Sequence, residues 1–241
     1  MAVITASLNE TLLRIEFRDQ MSRNSFTLRA AEELIEICRR FAGRFEAMIF
    51  TAPGRVFCSG GNLADYAAMA SADPGKEVNR RIFEALEMIT QLPVPTVCLV
   101  QGDCFGGGVE LISAFDLVLS SPYALFGFWQ RKIGITFGWG GGVRLERRLG
   151  QQRMTQLALS GATIGSLEAQ RIGLIDGIVI EPLLLNEGLK RAKQLCELPK
   201  APVAPMKSWT ASKEQEIFET VWWNEDHQAI LGARKLSRDR K

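Results

Sequence analysis

Hydrophobic and polar positions change period several times along the chain. Leu12–Phe17 alternates, which predicts a strand with one buried face. Leu28–Phe41 places apolar residues at Leu28, Ala31, Leu34, Ile35, Cys38 and Phe41. That spacing predicts an amphipathic helix with Thr27 as its N-cap. Ala47–Thr51 is a short apolar run broken by Pro53-Gly54, as expected of a buried strand. Ile82–Ile89 returns to helical period, and Pro95–Val100 reads as another buried strand ended by Gly102. Gly106-Gly107-Gly108 opens a predicted helix over Val109–Ala114, and Leu117–Ser120 reads as strand. This alternation predicts an α/β fold with helices covering the sheet.

After about Gly150 the pattern turns helical, over Gln151–Ser160, Leu167–Ile172 and Leu183–Leu198. Pro199, Pro202 and Pro205 punctuate the next stretch. Lys213–Lys235 predicts a long final amphipathic helix that carries Trp222 and Trp223. Aromatic residues on such a helix point either to a subunit interface or to internal packing, and the pattern leaves both open.

Composition narrows the chemistry. The chain has 241 residues and a formal net charge of +2, so it can bury a full core and has no strong basic field for nucleic acid. Its one histidine, His227, excludes a His-rich metal site, and excludes a Ser-His-Asp triad unless His227 serves it. Five cysteines, Cys38, Cys58, Cys98, Cys104 and Cys196, form no C-x-x-C pair and read as buried thiols in a reducing compartment. The opening residues show no basic region followed by an apolar one, and the most apolar stretch, Leu111–Trp129, is broken by Asp116 and Pro122. A soluble cytoplasmic protein with no membrane span is therefore expected.

Two glycine-rich segments follow predicted strands. They are Val56-Phe57-Cys58-Ser59-Gly60-Gly61-Asn62-Leu63 and Gln101-Gly102-Asp103-Cys104-Phe105-Gly106-Gly107-Gly108-Val109-Glu110. Neither fits G-x-G-x-x-G after the first strand nor G-x-x-x-x-G-K-[ST], so dinucleotide and P-loop readings fail. Glycines opening a helix leave unpaired N–H groups aimed at one spot. Two such loops can each supply one N–H to a developing oxyanion. Glu110, three residues after Gly107, shares its side of the helix and stands where a carboxyl group could move a proton.

These residues resemble the crotonase (enoyl-CoA hydratase/isomerase) family. Phe57–Leu63 is similar to its F-C-[AS]-G-x-D-L pattern, with Asn62 where aspartate is usual. Gly102–Asp116 is similar to G-x-x-x-G-G-G-x-E-L-x-x-x-x-D. Arg23-Asn24, Phe126-Gly127, Gly134, Gly140-Gly141, Gly161, Ile164, Ala169 and Gly173-Leu174-Ile175-Asp176 match further family positions in order.

The resemblance implies a ββα-repeat spiral core over residues 1–180 and a C-terminal helical trimerisation region over residues 181–241. It also implies an acyl-CoA thioester substrate, with coenzyme A as part of the substrate and no separate cofactor. The backbone amides of Ser59 and Gly107 are the expected oxyanion donors. Phe57, Cys58, Gly60, Gly61 and Gly106 are expected to line the substrate. Arg23 and Lys235 are expected to meet coenzyme A phosphates. Homotrimers, or hexamers built as paired trimers, are implied.

One family position departs. Hydratases carry two glutamates around a water; the first matches Glu110, but the second falls on Gln130. Glutamine orients water but cannot carry a proton. The leading expectation is a hydratase-like lyase that adds water to a 2-enoyl-CoA. The alternative is a decarboxylase of malonyl-type CoA esters, because Lys132–Gly141 also resembles the family's short-chain acyl-CoA decarboxylases. An isomerase ranks third, since isomerases usually keep the second acid. A non-catalytic acyl-CoA- or RNA-binding homologue is the non-enzymatic class. The aromatic run Phe128-Trp129 and Phe137-Gly138-Trp139 predicts a dry pocket that raises the pKa of Glu110.

Overall fold

The computed structural model describes residues 2–208, 213–222 and 224–230. The first hairpin pairs β1 (Ile4–Asn9) and β2 (Leu12–Phe17) antiparallel, with Leu13, Ile15 and Phe17 turned into the core. Helix α1 (Leu28–Arg40) follows, and the Thr27 side chain caps it by accepting from Ala30 N–H.

Three strand pairs come next. These are β3 (Ala47–Thr51) with β4 (Val56–Cys58), β5 (Thr96–Val100) with β6 (Asp103–Phe105), and β7 (Leu117–Ser120) with β8 (Leu125–Gly127). The first strand of each pair joins a six-stranded sheet, ordered β1-β2-β3-β5-β7 and closed by β10 (Gly177–Ile178). The second strand of each joins a four-stranded sheet, ordered β4-β6-β8-β9, with β9 at Thr163–Gly165. Helices α2 (Leu63–Ala67) and α3 (Ala72–Thr90) link the first pair to the second, and α4 (Gly107–Ile112) links the second to the third. This is the expected ββα spiral.

The central strands β3 and β5 are buried along their whole length, as parallel strands covered on both faces must be. Helix α1 packs among Phe17, Phe26, Phe50 and Leu86 on one side. The opposite side is covered by α8 (Leu184–Cys196), whose Leu184 and Ala192 cluster with Ala47, Ile49, Val97, Leu99 and Leu119. The first helix beyond residue 181 thus belongs to the packed core. Between β8 and β10 lie α5 (Gly141–Leu149), α6 (Gln151–Ser160) and α7 (Ser166–Arg171).

Helix α3 is longer than its apolar period predicts. Its first turns are polar and exposed, held by surface pairs such as Lys76–Asp73, so no buried stripe marks them. The single helix expected over Lys213–Lys235 is interrupted. After α9 (Val203–Lys207), α10 covers Glu214–Val221 and stops at an extended Trp222; helix resumes over residues 225–230. His227 lies in that last stretch, its ring 4.7 Å from that of Trp222. No helix among the described residues is long and apolar enough to cross a membrane.

Candidate active site

Helix α4 is the hub of the site. Its N-cap, Gly106, adopts φ 53° and ψ −117°, a conformation closed to side chains, which turns β6 abruptly into the helix. One turn on, Glu110 points inward and is 3% exposed. Its Oε2 accepts the N–H groups of Trp139 at 2.8 Å and Gly141 at 3.1 Å. Its Oε1 accepts from Gly138 N–H and Gln130 Nε2, both at 3.4 Å. Burial raises the Glu110 pKa above its ordinary value, while these four donors pull the other way without cancelling it. Gly141 must stay bare, because a Cβ there would lie 2.4 Å from Glu110 Cγ.

Gln130, expected as the partner of Glu110, sits beside it and is equally buried. Its Oε1 has no hydrogen-bond partner. The two side chains thus place a carboxylate next to an amide whose oxygen no described group satisfies.

The segment that clamps Glu110 is itself held by Arg144 on α5. This buried guanidinium donates to the Trp139 carbonyl at 2.7 Å and Ser113 Oγ at 3.1 Å, and pairs with Glu87 at 3.5 Å. Its burial lowers its pKa.

The two glycine loops interlock backbone to backbone. Gly60 has φ +93°, and a Cβ there would lie 3.0 Å from Gly107 N. A Cβ on Gly108 would lie 2.6 Å from the Cys58 carbonyl oxygen. Contrary to the expected pairing, the Ser59 amide is taken: it donates to the Arg23 carbonyl at 3.2 Å. The left-handed backbone at Arg23 and Asn24 brings that carbonyl over β4, and the buried Asn24 fixes it by donating to Val56 O at 2.8 Å. The amides of Gly61 and Gly107 donate to no acceptor among the described residues.

Both of those glycines border one indole. A Cβ on Gly107 would stand 2.1 Å from Trp139 Cζ3, and one on Gly61 would stand 3.5 Å from Trp139 Cζ2. The ring is anchored at its edge, where Trp139 Nε1 donates to Asn79 Oδ1 at 2.8 Å. The same oxygen accepts from Tyr66 Oη at 2.9 Å. Phe26 lies 6.1 Å away, centroid to centroid. Outside this group opens a cleft of about 490 Å³, lined by Phe26, Leu28, Arg29, Asn62, Tyr66 and Val78 among others.

Other expected site residues are spread more widely. The side chains of Phe57 and Cys58 are buried in the core, with Phe57 against Phe50, so only their backbone lies near the loops. Burial pushes the Cys58 thiol up to about 12, which makes it inert. Gly106 N–H is held by Gly127 O at 2.8 Å. The Arg23 side chain is on the surface beside the first loop. Lys235 lies outside the described residues. Sequence reasoning missed Asn79, Gly138 and Arg144. Only Gly138 carried a signal, as part of the aromatic-glycine run.

Comparison with known proteins supplies the family. A sequence profile described as enoyl-CoA hydratase/isomerase matches residues 7–225. The chain belongs to the enoyl-CoA hydratase/isomerase family. Similar proteins include human mitochondrial methylglutaconyl-CoA hydratase, 33% identical over 154 residues, covering 63% of this chain and 45% of that protein. Another is enoyl-CoA isomerase/hydratase fer4 of Mycosarcoma maydis, 32% identical over 158 residues, covering 65% of this chain and 57% of that one. The matched region spans about half the length of these relatives. Among solved structures, an enoyl-CoA hydratase from Bacillus anthracis superposes with a TM-score of 0.88 at 26% identity, over 98% of this chain and 96% of that one. Human enoyl coenzyme A hydratase domain-containing protein 3, at 20% identity and a TM-score of 0.86, shares the fold. In this family member, the positions that depart from the pattern, Gln130 and Asn62, both lie at the site.

Proposed function

We propose that this chain is a hydratase-like lyase that adds water to a short 2-enoyl-CoA thioester, with Glu110 as its one proton carrier. The observation that carries this reading is the pair of acceptors at Glu110 and Gln130. A water donates one O–H to each, and only Glu110 can take a proton from it. The water oxygen then bonds to C3 as the C2–C3 double bond shifts toward the thioester. Negative charge develops on the thioester oxygen, which the amides of Gly61 and Gly107 receive; one such donor is worth about 3–4 kcal/mol. Gly61 replaces Ser59 in this role because the Ser59 amide already has an acceptor. Glu110 returns its proton to C2, so one water is added and the carboxylate is restored. Coenzyme A enters as part of the substrate, with Arg29 on the lining of the cleft and Arg23 exposed on the first loop as the cations offered to its phosphates.

Purified protein incubated with crotonyl-CoA should lose the enoyl absorbance, and Glu110→Gln should not. Equal rates in both would end this reading. A second reading, decarboxylation of a malonyl-type CoA ester, is favoured by the neutral side chain at Gln130, which spares a substrate carboxylate the repulsion of a second acid. Carbon dioxide release from methylmalonyl-CoA, with crotonyl-CoA untouched, would choose it. Assembly as trimers or paired trimers is proposed from the family resemblance alone. Sedimentation as a monomer would exclude it.

A further inference from the structure

We infer that Trp139 is a specificity-determining residue that closes the acyl pocket, restricting this chain to short acyl groups. This rests on the acyl-CoA reading above. The thioester carbonyl must reach the free amides of Gly61 and Gly107, and both glycines border the Trp139 ring within van der Waals reach. The ring is 5% exposed and fills the volume between these glycines and α3. It is also fixed in direction. Asn79 Oδ1 receives its N–H and ties it to Tyr66, while Phe26 backs it. Its backbone has a separate task, since Trp139 N–H holds Glu110. The indole is therefore free to set pocket length while the amide sets the carboxylate. An acyl chain passing the oxyanion donors meets an anchored wall, not a channel. A shape limit of this kind discriminates by excluded volume, and each methylene in an apolar pocket changes selectivity by about tenfold or more.

The test uses binding and turnover together. Saturated butyryl-, hexanoyl- and decanoyl-CoA are titrated into the full chain by calorimetry, and the matching 2-enoyl esters are assayed for turnover. Wild type should prefer the four-carbon ester. Trp139→Ala should shift the decanoyl-to-butyryl affinity ratio upward by about tenfold or more. Should Trp139→Ala fail to fold, Trp139→Leu keeps an apolar side chain. Asn79→Ala releases the ring edge and should shift the ratio in the same direction by less. An unchanged ratio in folded Trp139 and Asn79 variants would overturn the inference. So would a wild type that already binds decanoyl-CoA as well as butyryl-CoA. Discriminating binding without turnover of any enoyl ester would support the inference and sink the hydratase reading. No binding of any ester would remove both.

Discussion

Arg144 Nη2 donates to the carbonyl oxygen of Trp139 at 2.7 Å, so a buried cation on α5 holds the residue whose own N–H, one peptide earlier, holds Glu110. The arrangement is a relay of position with no charge transfer. Arg144→Met should cost about 2–4 kcal/mol, since the Trp139 carbonyl and Ser113 lose a donor and Glu87 loses its partner. Looser N–H donors would also let the Glu110 pKa rise further. The acid limb of the activity profile should therefore move to higher pH in this variant. A merely structural role would lower the amount of folded protein and leave that limb in place.

Glu110→Gln should reduce turnover by about 10²–10⁴-fold. Its effect on stability depends on pH in a direction set by burial. The folded pKa of Glu110 is raised, so its protonation stabilises the fold fully below the ordinary carboxylate value of about 4.3. That contribution is lost as pH rises through the folded value. The stability of wild type minus that of Glu110→Gln should fall across this window and then level. Urea unfolding at a series of pH values measures it, and a difference that grows with pH would contradict it.

Gln130 separates stability from chemistry. Its Oε1 is buried without a partner while its Nε2 makes one long bond to Glu110, so the gain and the loss in Gln130→Leu oppose each other and stability should change by no more than about 1 kcal/mol. The same variant should slow hydration, because the water loses one of its acceptors. Gln130→Glu places a second carboxylate beside Glu110. The pair should titrate in two separated steps, with one apparent pKa strongly raised. A pH–rate profile of the variant with two acidic limbs would report it.

Gly107 and Trp139 should be energetically coupled. Gly107→Ala forces a methyl group into the indole and should cost about 1–3 kcal/mol or more. In a Trp139→Leu background the same substitution should cost measurably less. Thermal unfolding of the four proteins in the cycle gives the coupling, and strict additivity would mean that the ring does not occupy this space.

Much of the fold was written in local pattern. Thr27 caps α1 where the apolar stripe begins, and the runs at Ala47–Thr51 and Leu117–Ser120 are strands at those bounds. The small sheet was harder to read, because strands of three residues such as Val56–Cys58 and Leu125–Gly127 are too short to show a period. The site followed the same division. Glu110 was legible, since its helix and glycines are contiguous in the chain. Which amide of the first loop stays free was not, because the answer lies with the Arg23 carbonyl, far away in sequence. Asn79 gave no signal either; it meets Trp139 across 60 residues, from the polar side of α3.

The contact of Gly60 with Gly107 has a consequence for how the chain can be cut. The two loops come from separate repeats, yet they are joined by β4–β6 pairing and backbone packing, and the connection through residues 68–71 runs along the surface. Met69 of this segment lines the cleft, but the loop-to-loop pairing does not run through it. A protein cleaved between Ala68 and Ser71, or circularly permuted with its termini at that point, should reassemble with Gly60 packed against Gly107 as before.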